Sequence, residues 1–133
     1  MKAFDLSGRV AIVTGGNGGI GLGMARGIAR AGGQVAVIGR NTAKNAAAVA
    51  ELEGLGANCL AIEADVTRDD ECRSLVDHAA AHFGRVDILV NNAGTALRKQ
   101  PQDHTMQDWR RIIDTNLSSA FACSHAAYPH MKA

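Results

Sequence analysis

Residues 14–21 read Thr14, Gly15, Gly16, Asn17, Gly18, Gly19, Ile20, Gly21, with five glycines in eight positions. Each glycine loses more backbone freedom on folding than any other residue, and a plain turn does not require so many. The string suits a backbone that must approach phosphate groups closely. The place for it is a helix N-terminus, whose free N–H groups and positive dipole end attract them. Gly16, Gly18 and Gly21 match Gly-x-Gly-x-x-Gly, while Gly15, Gly19 and Gly21 match Thr-Gly-x-x-x-Gly-x-Gly. No Gly-Lys-Ser/Thr follows, which argues against a nucleoside-triphosphatase loop. The expected ligand is a dinucleotide pyrophosphate. About 20 residues further on, such a site carries an acid when it holds a free 2′-hydroxyl. Here that position is Gly39, followed by Arg40 and Asn41. No carboxylate is left to repel a 2′-phosphate, and a guanidinium pairs well with one. NADP is therefore the cofactor expected, with NAD as the alternative.

Two other arrangements look chemical on paper. Tyr128 and Lys132 satisfy Tyr-x-x-x-Lys. Yet Tyr128 follows Asn116 by twelve positions with no strand signal between, so the two share one helix. At ~1.5 Å per residue they stand ~18 Å apart, which puts Tyr128 near the rim opposite the glycine loop. Pro129 also disturbs the helical alignment of the pair. A catalytic role for Tyr128 is not expected. His78 and His82 lie four apart on a helix, but no third ligand is evident nearby and no metal is expected.

The elements that must position these residues alternate strand and helix. Residues 9–14 form a β-branched run that ends in the glycines. Residues 20–31 are Ala-rich, with Ile20, Met24 and Ile28 at helical spacing, and Gly32-Gly33 stops them. A second strand spans 34–38. Thr42 is positioned to cap a second helix that runs through Glu53. A third strand spans 58–63. A third helix starts at Asp69 with the apolar stripe Cys72, Leu75, Val76, Ala79 and Phe83, and a fourth strand spans 86–90. After a loop with Pro101, a last helix runs from about Met106, with Trp109, Ile112, Ile113, Leu117, Ala120 and Phe121 near one side. Strands that are continuously apolar belong to a parallel sheet covered on both faces. Right-handed crossovers make this a doubly wound α/β fold, with the ligand beyond the carboxyl ends of the strands.

Composition narrows the remaining classes. The chain has 133 residues, a net charge of +1, 47% hydrophobic and 20% charged residues. That fits one globular domain and leaves no basic block for nucleic acid. The first residues lack a signal-peptide core and the apolar run 10–13 is too short to span a bilayer. No membrane association is expected, and the location expected is the cytoplasm. Cys59, Cys72 and Cys123 form no Cys-x-x-Cys pair and are expected to be small buried hydrophobes.

Three further segments carry a resemblance. Asp65-Val66 follows the third strand, Asn91-Asn92-Ala93-Gly94 follows the fourth, and Asn116 lies within the last helix. With residues 14–21 they resemble the short-chain dehydrogenase/reductase family in identity and order, over essentially the whole chain. A Rossmann-like methyltransferase would account for the loop but not for residues 91–94. The resemblance implies a Rossmann-like sheet, here ending after about four strands and the fourth crossover helix, as one incomplete NAD(P)-binding domain over 1–133. It implies that Gly15, Asn17, Gly18, Gly19, Ile20 and Gly21 hold the pyrophosphate, and that Arg40 and Asn41 meet the adenosine ribose. Asp65 and Val66 would contact the adenine. Asn91 and its neighbours Asn92, Ala93 and Gly94 would support the sheet and line the ribose side. Asn116 would be the catalytic Asn that helps a proton-relay water.

The activity implied is hydride transfer between nicotinamide and a small carbonyl or alcohol substrate. The Ser, Tyr and Lys of that chemistry are expected beyond residue 133, so the 133 residues alone are expected to be inactive. The complete enzyme is expected to be a homo-oligomer. A non-catalytic dinucleotide-binding module, or a fragment that needs a partner, is the competing reading. The strand at 86–90 would be an exposed edge without a fifth strand, so the isolated chain is expected to associate. Residues 4–9 and 39–41 resemble sugar-acid and 3-oxoacyl-reductase-like members.

Overall fold

β-Branched and apolar residues at Val10–Thr14 (β1) and Gln34–Gly39 (β2) place four consecutive side chains each in full burial, Val10 to Val13 and Val35 to Ile38. A strand buried on both sides must be covered on both sides, and the computed structural model, which describes residues 2–133, does this with helices on each face. The remaining elements are Gly19–Arg30 (α1), Thr42–Glu53 (α2), Cys59–Glu63 (β3), Asp69–Phe83 (α3), Ile88–Val90 (β4), Met106–Ile113 (α4) and Ser119–Lys132 (α5). A π-helical turn, Asp114–Ser118, joins α4 and α5.

The sheet is parallel throughout, in the order β3-β2-β1-β4. Val10 pairs with Gln34, Ala11 with Ile88, and Val35 with Cys59. Alternate side chains of β1 and β2 serve opposite faces. Val13, Val35 and Val37 meet Ala25, Ala29, Ala48 and Leu52 of α1 and α2. Ile12, Ala36 and Ile38 meet Cys72, Leu75, Val76 and Ala79 of α3 with Cys123 and Ala127 of α5. Each buried Val, Leu or Ile among them contributes roughly 1.5–3 kcal/mol by its removal from water, and each Ala less. The chain order runs outward from β1 to β3 and then jumps back to β4. The crevice between the carboxyl ends of β1 and β4 is thus the topological switch point, where ligands of such sheets bind.

Local chemistry fixes the ends of the elements. α3 stops at Gly84, which takes a left-handed conformation (φ 80°) and donates its N–H to the Ala80 carbonyl. α2 is capped by Asn41 and not by Thr42. The Asn41 side-chain oxygen accepts the Lys44 N–H at 3.0 Å, and Asn is the stronger cap of the two. α4 carries a full capping box, in which Thr105 and Asp108 each accept the other's backbone N–H at 3.0 Å. The three cysteines are buried, and desolvation pushes the thiols of Cys59 and Cys123 up to about 11 and about 12.

The apolar side of the last helix lies open, with Trp109, Leu117 and Phe121 59%, 64% and 72% exposed, and one expectation about this helix is corrected. The buried positions are the small residues Ser119, Cys123 and Ala127, which let α5 approach α3 closely. Pro129 does not distort the end of α5, which continues to Lys132. Proline removes one helical hydrogen bond, and so near the terminus few residues depend on it. Tyr128 is exposed, with the Lys132 ammonium 6.0 Å from its ring centre. Among the described residues no helix is long and apolar enough to cross a membrane.

Candidate cofactor site

Thr14, the last residue of β1, is the joint on which the site is built. It is buried, and its hydroxyl donates to the Val90 carbonyl at 3.3 Å and accepts the N–H groups of Asn92 and Ala93 at 3.1 and 3.0 Å. The Asn92 amide returns the connection, donating to the carbonyls of Thr14 and Gly15 at 3.1 and 3.2 Å. The glycine loop and the loop after β4 are thereby fastened to each other. Gly15 sits at φ 64° and donates its N–H to the Ile38 carbonyl at 2.9 Å. Any side chain at Gly21 would collide with the Gly15 carbonyl and the Asn92 amide. α1 begins at Gly19 behind Gly18, which supplies no capping side chain. The first N–H groups of the helix therefore have no protein cap, the arrangement that receives an anion.

In front of this loop lies a cleft of about 720 Å³. It is lined by Gly15, Asn17, Gly18 and Gly19 of the first loop, Arg40 and Asn41 after β2, Asp65 and Val66 after β3, and Asn92, Ala93 and Gly94 after β4. The residues given a role from sequence thus converge, except Ile20, Gly21, Asn91 and Asn116. Ile20 is 74% exposed at the start of α1, Gly21 is buried behind the loop, and Asn116 lies outside the lining. Asn116 sits in the π turn and clasps the cleft wall from behind. Its Oδ1 accepts the Thr95 N–H at 2.7 Å and its Nδ2 donates to the Thr95 carbonyl at 2.9 Å. Asn91 also stands apart, donating to the Ser124 hydroxyl of α5 at 3.1 Å, while its neighbour Asn92 makes the bonds to Thr14 and Gly15.

Sequence reasoning missed Lys44, Thr67, Thr95, Arg111 and Thr115, all of which line the cleft. Lys44 could have been found: it lies four residues after Arg40, and its Nζ reaches within 3.6 Å of where a Gly18 Cβ would stand. Arg111 and Thr115 come from the far end of the chain and announce themselves only in three dimensions. Arg40, Lys44 and Arg111 make the cleft cationic, against the single carboxylate of Asp65. That carboxylate is held below its ordinary range, first by the Thr67 hydroxyl at 2.7 Å and also by the Thr67 N–H and the Arg40 and Arg68 charges. A glycine loop with no room for a Cβ at Gly16 or Gly21, an uncapped helix start and three cations fit a dinucleotide phosphate chain.

The family model for short chain dehydrogenases matches residues 9–133. The chain belongs to that family. A short-chain dehydrogenase of Escherichia coli K12, 2-dehydro-3-deoxy-D-gluconate 5-dehydrogenase, is 38% identical over 130 residues, 98% of this chain and 51% of the relative. The crystal structure of a short-chain type dehydrogenase/reductase from Mycobacterium marinum superposes with a TM-score of 0.94 at 37% identity, over 98% of this chain and 53% of that one. A short chain dehydrogenase from Burkholderia cenocepacia, solved in complex with NADP, gives 0.91 at 37% identity, over 95% and 52%. The chain spans about half the length of the short-chain dehydrogenases it matches.

Proposed function

We propose that this chain is the nicotinamide-dinucleotide-binding part of an oxidoreductase that prefers NADP. The observation that carries the reading is the joint of Gly15, Gly21 and Asn92. Atoms there are packed so closely that a single methyl group is refused, directly under an uncapped helix start. A backbone brought this near an open anion site serves a pyrophosphate. Gly15, Asn17, Gly18, Gly19 and Ile20 would hold that group, with Gly21 making room behind them. Asp65 and Val66 would border the adenine, and Asn92, Ala93 and Gly94 the nicotinamide ribose. The bound nicotinamide would supply a hydride donor or acceptor for a small carbonyl or alcohol. Asn116 serves that chemistry from behind, because its two bonds to Thr95 fix the loop that faces the nicotinamide end.

The preference for NADP rests on Gly39, Arg40 and Lys44. No carboxylate stands at the end of β2, and two cations line the same part of the cleft. Burkholderia NADP binding in a relative of the same fold supports this choice. Fluorescence titration of the native protein with NADPH and NADH tests it. NADPH should bind tighter, and Arg40→Ala should weaken NADPH by about tenfold while leaving NADH nearly unchanged. Equal loss for both cofactors would remove the 2′-phosphate assignment, and absence of binding to either would remove the function.

A further inference from the structure

Asn45, in the first turn of α2, is a buried amide outside the cleft lining, at 1% exposure. Its Nδ2 donates to the Gly39 carbonyl at 2.9 Å and to the Ile62 carbonyl at 3.4 Å, bridging the carboxyl ends of β2 and β3. Its Oδ1 accepts the amide of Asn17, from the glycine loop, at 2.8 Å. Three elements that bound the adenosine end of the cleft therefore meet on one side chain. They meet at the place where a side chain on residue 39 would have to stand. A Cβ there would lie 2.6 Å from Asn45 Oδ1 and closer still to Asn17 Nδ2. Real Cβ atoms do not tolerate such distances. Asn17 is half-buried and can swing away by giving up one hydrogen bond. Asn45 cannot, because it is enclosed and tied to two carbonyls, the one of Ile62 in a buried bond that would be left unmade.

We propose that Asn45 is a positioning residue for cofactor choice: it keeps position 39 free of any side chain and so bars the carboxylate that a 2′-hydroxyl cofactor would require. The proposal rests on the NADP reading above and deepens it. Repulsion of NADP is absent not only because residue 39 happens to be glycine. The neighbouring amides leave space for nothing else, and the 2′ position of the cofactor is left to Arg40 and Lys44. Asn45 touches no cofactor atom in this account and acts through Gly39 and Asn17.

The experiment compares NADPH and NADH affinities, by fluorescence titration, and melting temperatures for the full native protein and its variants. Gly39→Asp alone should lower Tm by about 5 °C or more and weaken NADPH at least about tenfold without gaining NADH. Adding Asn45→Ala should recover part of the lost Tm and tighten NADH at least about tenfold relative to Gly39→Asp. Adding Asn17→Gly instead should recover much less, since the immovable Asn45 oxygen remains. A parallel cycle of Gly39→Ala with Asn45→Ala reads the collision through Tm alone, with no cofactor present. A Gly39→Asp protein that melts normally and binds NADH tightly overturns the proposal, as does rescue by Asn17→Gly equal to that by Asn45→Ala. Binding of neither cofactor by the unaltered protein would remove the NADP reading and this proposal together. Good NADPH binding combined with additive Tm losses would remove this proposal alone.

Discussion

At the amino-terminal rim of the sheet, one carboxylate gathers its neighbours by charge. Asp87 accepts the Val10 N–H at 2.9 Å, two bonds from Arg85 at 2.7 and 2.8 Å, and one from Arg9 at 3.2 Å. At the carboxyl-terminal rim the four strands are joined by a hydroxyl, two amides and glycine backbone: Thr14, Asn92, Asn45, Gly15 and Gly39. The first rim is satisfied in itself. The second leaves helix N–H groups and cations facing an open cleft. The contrast teaches a division of labour. The charged rim holds β1 to β4, and the neutral rim holds the shape of a site whose charge is left for a ligand to complete. Substitutions at the two rims should therefore fail in different measurements.

The largest effect is expected at Gly21. Its missing Cβ is the space occupied by the Gly15 carbonyl and the Asn92 amide, neither of which is the loose end of an exposed chain. Gly21→Ala should weaken NADPH binding on the order of a hundredfold, because the loop must move off the helix start that receives the phosphates. Stability should fall by roughly 1–3 kcal/mol, the ordinary cost of overpacking. Unchanged titration curves would show that the neutral rim is not the binding rim.

Asp87 should behave in the opposite way. Asp87→Ala leaves the Val10 N–H and Arg85 without their acceptor and should cost about 2–3 kcal/mol in chemical denaturation. NADPH affinity of the folded protein should be unchanged, since Asp87 lies at the far end of the strands. The Asp87 carboxyl is lowered to about 2, chiefly by the Arg85 guanidinium, with help from Val10 and Arg9. The unfolded carboxyl titrates near 3.9, so the unfolded state takes up the proton first. The stabilisation is thus complete above about pH 4 and is lost as pH falls through about 2, by an amount on the order of 2 kcal/mol. Asp87→Asn should flatten that part of the acid profile. A profile that keeps its full slope in the variant would assign the acid sensitivity elsewhere.

The two rims also differ in how plainly they are written in the sequence. Gly15 at φ 64° and Gly21 in contact with Asn92 admit only glycine, so geometry left its mark as letters. β1 and β2 were legible because burial on both faces allows only apolar residues, and Val10 to Val13 obey that. Interactions made by common polar residues were not legible. Asn45 could be any helical Asn, and Asn41 and Thr42 are both good caps whose order only the fold decides. The π turn was not legible either: Asp114–Ser118 interrupts what reads as one helix from Met106, and nothing in its residue types marks it. The buried positions of α5, Ser119, Cys123 and Ala127, are small residues that no stripe of large apolar side chains marks.

The smallest effect is expected at Asp108, which sharpens the comparison because its carboxyl is lowered to about 2, as that of Asp87 is. The cause is chiefly the Lys99 ammonium at 2.8 Å, followed by the Thr105 N–H. It stands at the start of α4, on the loop that leads from Thr95 at the cleft. Equal pKa values do not imply equal stabilisation. Asp87 ties together two strands of the sheet, whereas Asp108 ties an exposed loop to an exposed helix end, where water and salt compete. Asp108→Asn should lower Tm by no more than about 2 °C. It should speed hydrogen exchange at the first turn of α4 and weaken NADPH by about two- to threefold through the loosened loop. Added salt should reproduce part of that loss in the unaltered protein and little of it in the variant. A Tm loss as large as that of Asp87→Ala would mean that the loop is part of the folding core, and the division between a structural rim and a binding rim would have to be redrawn.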